Sequence, residues 1–330
     1  MSIQITIIGL GQVGSSIGLA LAGNKSIKRV GHDKDFALGR TAQKNGVVDE
    51  FRMNLPASVR DANVVILSLP LSEIRETLEY IADDLREGVV IMDTAPSKAT
   101  VAAWINELLP QGRHYVGLTP AMGPEHLNGT DLGADSARVD LFQKGVFLVN
   151  APHGTPGEAV KLATDLVGVL GAQAMISDES ETDGLVAATH LLPQLVSAAL
   201  VDATVNQPGW NEARKVAARA YASTTSASVS YDEAKSLGTA VLGNHESILR
   251  LIDSYMESMQ QLRDAVESGS DQQVLEFLQG AAEARERWLH ERFTAEWKHT
   301  YQDTSDVQSF GDKMSHMFVG NLMERTKKKK

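Results

Sequence analysis

Up to about residue 175 the chain alternates short apolar runs with stretches of helical period. Residues 3–9 are a run of β-branched residues that stops at glycine, and residues 13–22 then read as a helix ended by Gly23 and Asn24. Residues 28–32 predict a second strand. Residues 64–69 are apolar with little alternation, as in a parallel strand covered on both faces. Ser72 is expected to cap a helix reaching about Leu85, with Ile74, Leu78, Ile81 and Leu85 on one stripe. Residues 89–92 form the next strand, followed by Asp93. Ser97 is the expected cap of a helix that Pro110 ends. Further strands are predicted at 115–118, 146–149 and 173–176. Before the last of them, Thr155-Pro156-Gly157-Glu158 offers two helix-start signals, a proline at the first helical position and a Thr-x-x-Glu capping box. Strand–helix alternation of this kind predicts an α/β fold with a doubly wound parallel sheet.

The pattern changes after Ser177, and no convincing strand follows. Residues 185–205 predict a long apolar helix stopped by Gln207-Pro208-Gly209. Ile248, Ile252, Tyr255, Met259, Leu262 and Val266 make a two-heptad apolar seam, either an internal packing stripe or a subunit interface. Another helix is predicted over residues 271–297. The expected division is an α/β domain at 1–177, an all-helical second domain at 178–300, and an extension at 301–330. In that extension Met314, Met317, Phe318, Leu322 and Met323 fit a short amphipathic helix, loosely docked or in a subunit contact. The terminal Lys327–Lys330 run is read as a solvated tail, with lipid or polyanion contact as the alternative.

Composition narrows the chemistry. The 330 residues contain no cysteine, which excludes disulfides, thiolate metal sites and a cysteine nucleophile, and which fits a reducing cytoplasm. No metal site is expected. A net charge of -11 makes non-specific nucleic-acid binding unfavourable. The N-terminus enters a strand at once, without the basic start and cleavage site of a signal peptide. No apolar run reaches the ~18 residues of a membrane span.

Gly9-Leu10-Gly11-Gln12-Val13-Gly14 is a GxGxxG sequence lying between a predicted strand and a predicted helix, which is the context a dinucleotide fingerprint requires. Gly9 permits the tight turn, Gly11 admits a pyrophosphate to the backbone, and Gly14 lets helix and strand pack closely. Asp33 follows about 20 residues on, where a carboxylate bonds the ribose 2′-hydroxyl. It would repel a 2′-phosphate, partly offset by Lys34, so NAD is expected over NADP. Ligands of such sheets sit at the carboxyl ends of the strands. Three of those ends are polar or turn-rich: Ser68-Leu69-Pro70, Asp93 through Lys98, and Thr119 through Glu125. Ser68, Leu69, Pro70 and Asp93 join the cofactor residues on this ground. Ser97 has a plain alternative role as a helix cap.

Four stretches resemble the prephenate/arogenate dehydrogenases of tyrosine biosynthesis: ITIIGLGQVGSSIGLAL; VILSLPLSEIRETL with VVIMDTAPSKATV; YVGLTPAMGPEHLNG with DLFQKGVFLVNAP; and DGLVAATHLLPQLVSAALVDAT. They cover roughly residues 3–206. The resemblance implies a Rossmann domain followed by a helical domain that dimerises. It also implies NAD(P)-dependent oxidative decarboxylation of a small cyclohexadienol carboxylate, with hydride and CO2 leaving as the ring becomes aromatic. The family serine falls on Ser97, bonded to the substrate hydroxyl.

The chain departs from the family at three points. Gly117-Leu118-Thr119-Pro120-Ala121-Met122-Gly123 places Thr119 where the family carries its catalytic histidine. The family S-H-L-P-H segment reads His190-Leu191-Leu192-Pro193-Gln194, so His190 takes the serine's place, Leu191 that of the helix histidine and Gln194 that of the final one. The family's T-R-I-A arginine has no clean match; Arg214, Arg219 and Arg250 are possible stand-ins. A threonine hydroxyl can bond a substrate but cannot hold its proton near neutral pH. His190 is the candidate acid/base, against a core role; His126 is a further candidate. Asp183 matches a family aspartate or is a helix-start carboxylate. Three readings follow: a prephenate or arogenate dehydrogenase, the same scaffold acting on another hydroxylated carboxylic acid, or a dinucleotide-binding protein without turnover. No separate domain for feedback by tyrosine is apparent in the sequence.

Overall fold

The computed structural model describes residues 3–129, 133–228 and 233–295. The expected extension at 301–330, with its methionine-rich stretch and lysine tail, lies outside the described residues, as does Trp297. The chain divides into two compact units, with the division between Thr182 and Asp183.

The first unit is built on an eight-stranded sheet in the order β3-β2-β1-β4-β5-β6-β7-β8. The strands are β1 (Ile3–Ile8), β2 (Ile27–His32), β3 (Glu50–Phe51), β4 (Val64–Leu67), β5 (Val90–Asp93), β6 (His114–Ala121), β7 (Val146–Asn150) and β8 (Gln173–Ile176). Helices α1 (Gln12–Ala20), α2 (Phe36–Lys44), α3 (Leu55–Val59), α4 (Leu71–Ile81), α5 (Lys98–Leu108) and α6 (Gly157–Val169) connect them. Strand order reverses between β1 and β4, which opens the crevice where such sheets bind ligands. Every residue of β1 is buried. Its two polar side chains are satisfied, since Gln4 Nε2 and Thr6 Oγ1 both donate to the Ser58 carbonyl, at 3.0 and 2.7 Å. Ile5, Ile7, Ile66, Met92, Phe142 and Phe147 anchor the core; burying each such side chain contributes roughly 1.5–3 kcal/mol.

The sheet is not wholly parallel. β7 runs antiparallel to β6, with Gly117 opposite Asn150 and Thr119 opposite Leu148. The described part of the connection at 122–145 contains only short 3-10 turns, and a parallel return needs a long crossover, usually a helix. With α6 as crossover, β8 returns parallel to β7. Sequence periodicity misses β3, α2 and α3, which are short or weakly apolar.

Two expected caps are also displaced. Helix α4 starts at Leu71 and α6 at Gly157, with Pro70 and Pro156 themselves in the cap position at φ -51° and -56°. Each proline carbonyl accepts the N–H three residues on, at 2.9 Å, so Ser72 lies inside its helix and Thr155 before its own. In contrast, Ser97 does occupy the cap of α5, though its hydroxyl bonds no backbone N–H there.

Among its described residues the second unit contains helices and no strand. Helix α7 (Glu179–Val186) runs through a π-helical turn at Ala187–Leu191 into α8 (Leu192–Val205). Pro193 explains the wide turn: it has no N–H to donate, and in a regular helix its ring would meet the carbonyl of Thr189. Then come α9 (Trp210–Val216), α10 (Arg219–Thr225), α11 (Ala234–Gly243), α12 (His245–Glu267) and α13 (Asp271–Thr294). Asn244 Nδ2 donates to the Asp183 carbonyl at 2.7 Å and ties the start of α12 to α7. The run Glu179–Val205 is long and apolar enough, by length and composition, to cross a membrane. Counting uninterrupted apolar runs does not flag it. Core helices pass the same test, but only 28% of its apolar 18-residue window is buried within the chain.

Candidate active site

The fingerprint turn is built as its glycines predict. Gly9 has φ +91°, and a Cβ there would lie 2.1 Å from the Ser68 carbonyl oxygen. At Gly14 a Cβ would lie 2.0 Å from the Gly9 carbonyl oxygen, so helix α1 can sit this close to the strand end only without a side chain. Gly11 is different: its backbone is extended and nothing lies within 4 Å of a Cβ built on it. The space above Gly11 faces the first turn of α1, whose N–H groups have no preceding turn to receive them. An open cradle at such a helix start fits a pyrophosphate. Leu10 is fully buried and serves through its backbone, while Gln12 Nε2 reaches the Ser136 carbonyl at 3.4 Å.

Asp33 closes the other side of the turn. Its Oδ2 accepts the Leu10 N–H and its Oδ1 the Asp35 N–H, both at 2.8 Å. The carboxylate is thereby fixed at the end of β2, 9% exposed, with lone pairs left for a ribose hydroxyl. The Ser68-Leu69-Pro70 loop packs against Gly9 from the β4 side.

At the end of β5 the structure assembles a polar cluster that sequence reasoning sees only in part. Asp93 and Lys98 are both fully buried, with Lys98 Nζ 2.6 Å from Asp93 Oδ1. Asp93 Oδ2 accepts the Tyr115 hydroxyl at 2.5 Å, and Oδ1 also accepts the Ala95 N–H at 2.8 Å. Asp93, which the sequence places among cofactor contacts, therefore has its carboxylate turned inward onto Lys98 and Tyr115. Lys98 belongs to the D-x-x-x-S-K stretch but draws no role from spacing alone. Tyr115 and Asn150 gave no signal beyond standing at strand ends.

Gly117 lies between Asp93 and Asn150 across three strands. A Cβ on Gly117 would stand 2.0 Å from Asn150 Oδ1, 2.8 Å from Lys98 Cδ and 2.9 Å from the Tyr115 hydroxyl. Gly117→Ala is thus expected to cost about 1–3 kcal/mol, read as a lower denaturant midpoint; a midpoint equal to the parent's would refute this packing account. Neither end of the buried Asn150 amide has a partner among the described residues, and nor does Thr119 Oγ1 on the same face of β6. Ser97 is 1% exposed and its hydroxyl lies 2.8 Å from that of Thr100.

The remaining candidates lie on other elements. His126 is in a 3-10 turn, its Nε2 3.5 Å from Asp140 Oδ1. His190 lies in the π-turn of the second unit and is half-buried. Gln194 and Ser197 follow it at helical spacing, both buried, and Gln194 Nε2 donates to the His190 carbonyl at 3.1 Å. Ser197 Oγ has no partner among the described residues. This is a polar stripe on an apolar helix. Asp183 is buried inside α7, and the helix-start carboxylate is Asp178, which accepts the Glu181 N–H at 2.7 Å. Arg214, Arg219 and Arg250 are all exposed on α9, α10 and α12. Among the described residues no cluster of His, Asp and Glu could hold a metal.

Comparison with known proteins agrees with this architecture. A family model described as prephenate dehydrogenase, nucleotide-binding domain, matches residues 17–176, and one described as prephenate dehydrogenase, dimerization domain, matches residues 178–280. A prephenate dehydrogenase from Bacillus subtilis is 25% identical over 289 residues, 87% of this chain and 76% of that protein. A cyclohexadienyl dehydrogenase from Zymomonas mobilis is 24% identical over 286 residues, 86% of this chain and 94% of its own length. The crystal structure of prephenate dehydrogenase from Aquifex aeolicus with hydroxyphenyl propionate and NAD+ superposes with a TM-score of 0.75 at 20% identity, covering 87% of this chain and 99% of that one.

Proposed function

The chain belongs to the prephenate dehydrogenase family, and from that premise we propose that it is an NAD-dependent dehydrogenase of prephenate or arogenate, acting in the cytoplasm in tyrosine biosynthesis. The observation that carries this reading is the open cradle above Gly11, flanked by the fixed carboxylate of Asp33. In it the α1 N-terminus holds the pyrophosphate and Asp33 takes the ribose hydroxyl. Bound NAD+ supplies the hydride acceptor.

The residues of the chain do the rest. Oxidation of the ring carbinol requires its hydroxyl proton to leave, and loss of CO2 then delivers the electron pair that makes the ring aromatic. Thr119 offers a hydroxyl with no partner among the described residues, which can orient the substrate oxygen without taking its proton. Ser97, at the start of α5, is the second hydroxyl assigned to the substrate. His190 is assigned the proton, since imidazole is the group suited to it near neutral pH. The polar stripe of Gln194 and Ser197 beside it supports that assignment. His190→Ala is expected to lower kcat by about 10²-fold or more without lowering Tm. An unchanged kcat would return His190 to a packing role.

A homodimer is part of the proposal. Of the predicted seam only Ile248 is buried, while Tyr255, Met259 and Val266 are exposed on α12. That surface, and the match to a dimerization domain, favour the subunit-interface reading over an internal stripe.

The deciding test is absorbance at 340 nm with NAD+ and NADP+, each with prephenate and with arogenate. Turnover with either substrate supports the proposal. Binding of the cofactor without turnover would favour the second reading, the same scaffold on another hydroxylated carboxylic acid. The specific observation behind that alternative is threonine at position 119, where a proton-holding group is expected.

A further inference from the structure

We propose that Glu73 sets the cofactor preference of this enzyme by neutralising Lys34. The inference rests on the dinucleotide site proposed above and names the residue that discriminates within it. Strands β2 and β4 lie on either side of β1, and their trailing segments carry Lys34 and Glu73. Lys34 directly follows Asp33, whose carboxylate is bonded to the Leu10 N–H of the fingerprint. Glu73 sits in the first turn of α4, just beyond the 68–70 loop that packs on Gly9. The two side chains meet in an ion pair across the fingerprint turn.

A 2′-phosphate would arrive beside Asp33, against a like charge, and would need a nearby cation. Lys34 is the cation in place, but its ammonium is matched by Glu73. The neighbouring arginines are committed elsewhere. Arg40 lies over the Phe36 ring, 5.6 Å from its centroid, and Arg52 bonds Glu50 at 2.5 Å. Glu50 is held at a pKa of about 2 by its hydrogen bonds to Arg52 and Lys28, so that pair stays charged through the neutral range. With Glu73 paired to Lys34, the carboxylates around the 2′-position outweigh the cations, and the unphosphorylated ribose is preferred. Lys34 is 74% exposed and Glu73 27%, so the pair adds little to stability and acts on the ligand instead.

Isothermal titration of the full-length protein with NAD+ and with NADP+, in the absence of substrate, tests this. The parent is expected to bind NAD+ more tightly. Glu73→Gln is expected to lower the ratio Kd(NADP+)/Kd(NAD+) by about 3- to 10-fold at low salt, and by less at 0.5 M salt, where the charges are screened. Adding Lys34→Ala to Glu73→Gln should return the ratio toward the parental value. NAD+ affinity in the same samples reports an intact site. A parent that prefers NADP+, or a ratio unmoved by Glu73→Gln while NAD+ still binds, overturns the role of Glu73. A parent that binds neither dinucleotide overturns the cofactor reading and this inference with it.

Discussion

Lys98→Met is expected to destabilise the first unit by about 3–5 kcal/mol, the usual cost of removing one partner from a buried ion pair. Lys98 and Asp93 are both 0% exposed, so water cannot replace the missing ammonium. The Tyr115 hydroxyl and Ala95 N–H would still bond the carboxylate, but neither carries a charge to offset it. In a unit of this size the loss corresponds to roughly 6–20 °C in Tm. Asp93→Asn together with Lys98→Met should recover much of it, because a neutral amide needs no counter-charge. Thermal denaturation of parent, single and double variants measures the effect. A single variant within about 1 kcal/mol of the parent would mean that the pair is not the lock it appears from its burial. The same lock matters to the chemistry, since it fixes the β5 end to the start of α5, where Ser97 stands.

Gly11→Asp should abolish dinucleotide binding, with a loss of at least about 100-fold in affinity. The new carboxylate would occupy the cradle where a pyrophosphate approaches the backbone, placing like charge against like charge. The fold should survive: nothing lies within 4 Å of a Cβ at this position and the extended backbone suits any residue. This separates Gly11 from Gly9 and Gly14, where any side chain would strike backbone. Titration with NAD+ alongside a melting curve distinguishes the two kinds of damage. Undiminished binding by a folded variant would remove the cofactor assignment.

The strands and helices that frame the crevice are legible in sequence because they are apolar without interruption or bounded by glycine and proline. The fingerprint and Asp33 are legible because the turn and the ribose contact each demand a particular residue at a particular spacing. The antiparallel β7 is not, since direction depends on what the connection can span and not on the strand's own residues. The buried cluster is hidden for a related reason. Asp93, Tyr115 and Asn150 are brought together by β5–β6–β7 register and Lys98 joins them from the start of α5, which local periodicity does not encode. Pro70 and Pro156 mislead at the caps because proline takes the cap position itself, moving each helix start away from the expected hydroxyl. Lys34 reads in sequence only as a cation beside Asp33, and its pairing with Glu73 follows only from strand order.

The wide turn at Ala187–Leu191 bears on any attempt to match this helix to others residue by residue. It accommodates one residue more than an α-helical turn, so everything before it is rotated by about 100° relative to everything after it. Counting back from Pro193 in steps of 3.6 therefore gives Thr182 and Asp183 the wrong azimuth by about that angle, and His190, inside the turn, by part of it. Column equivalence between His190 or Leu191 and a histidine on an unbroken helix assigns a direction that the backbone does not have.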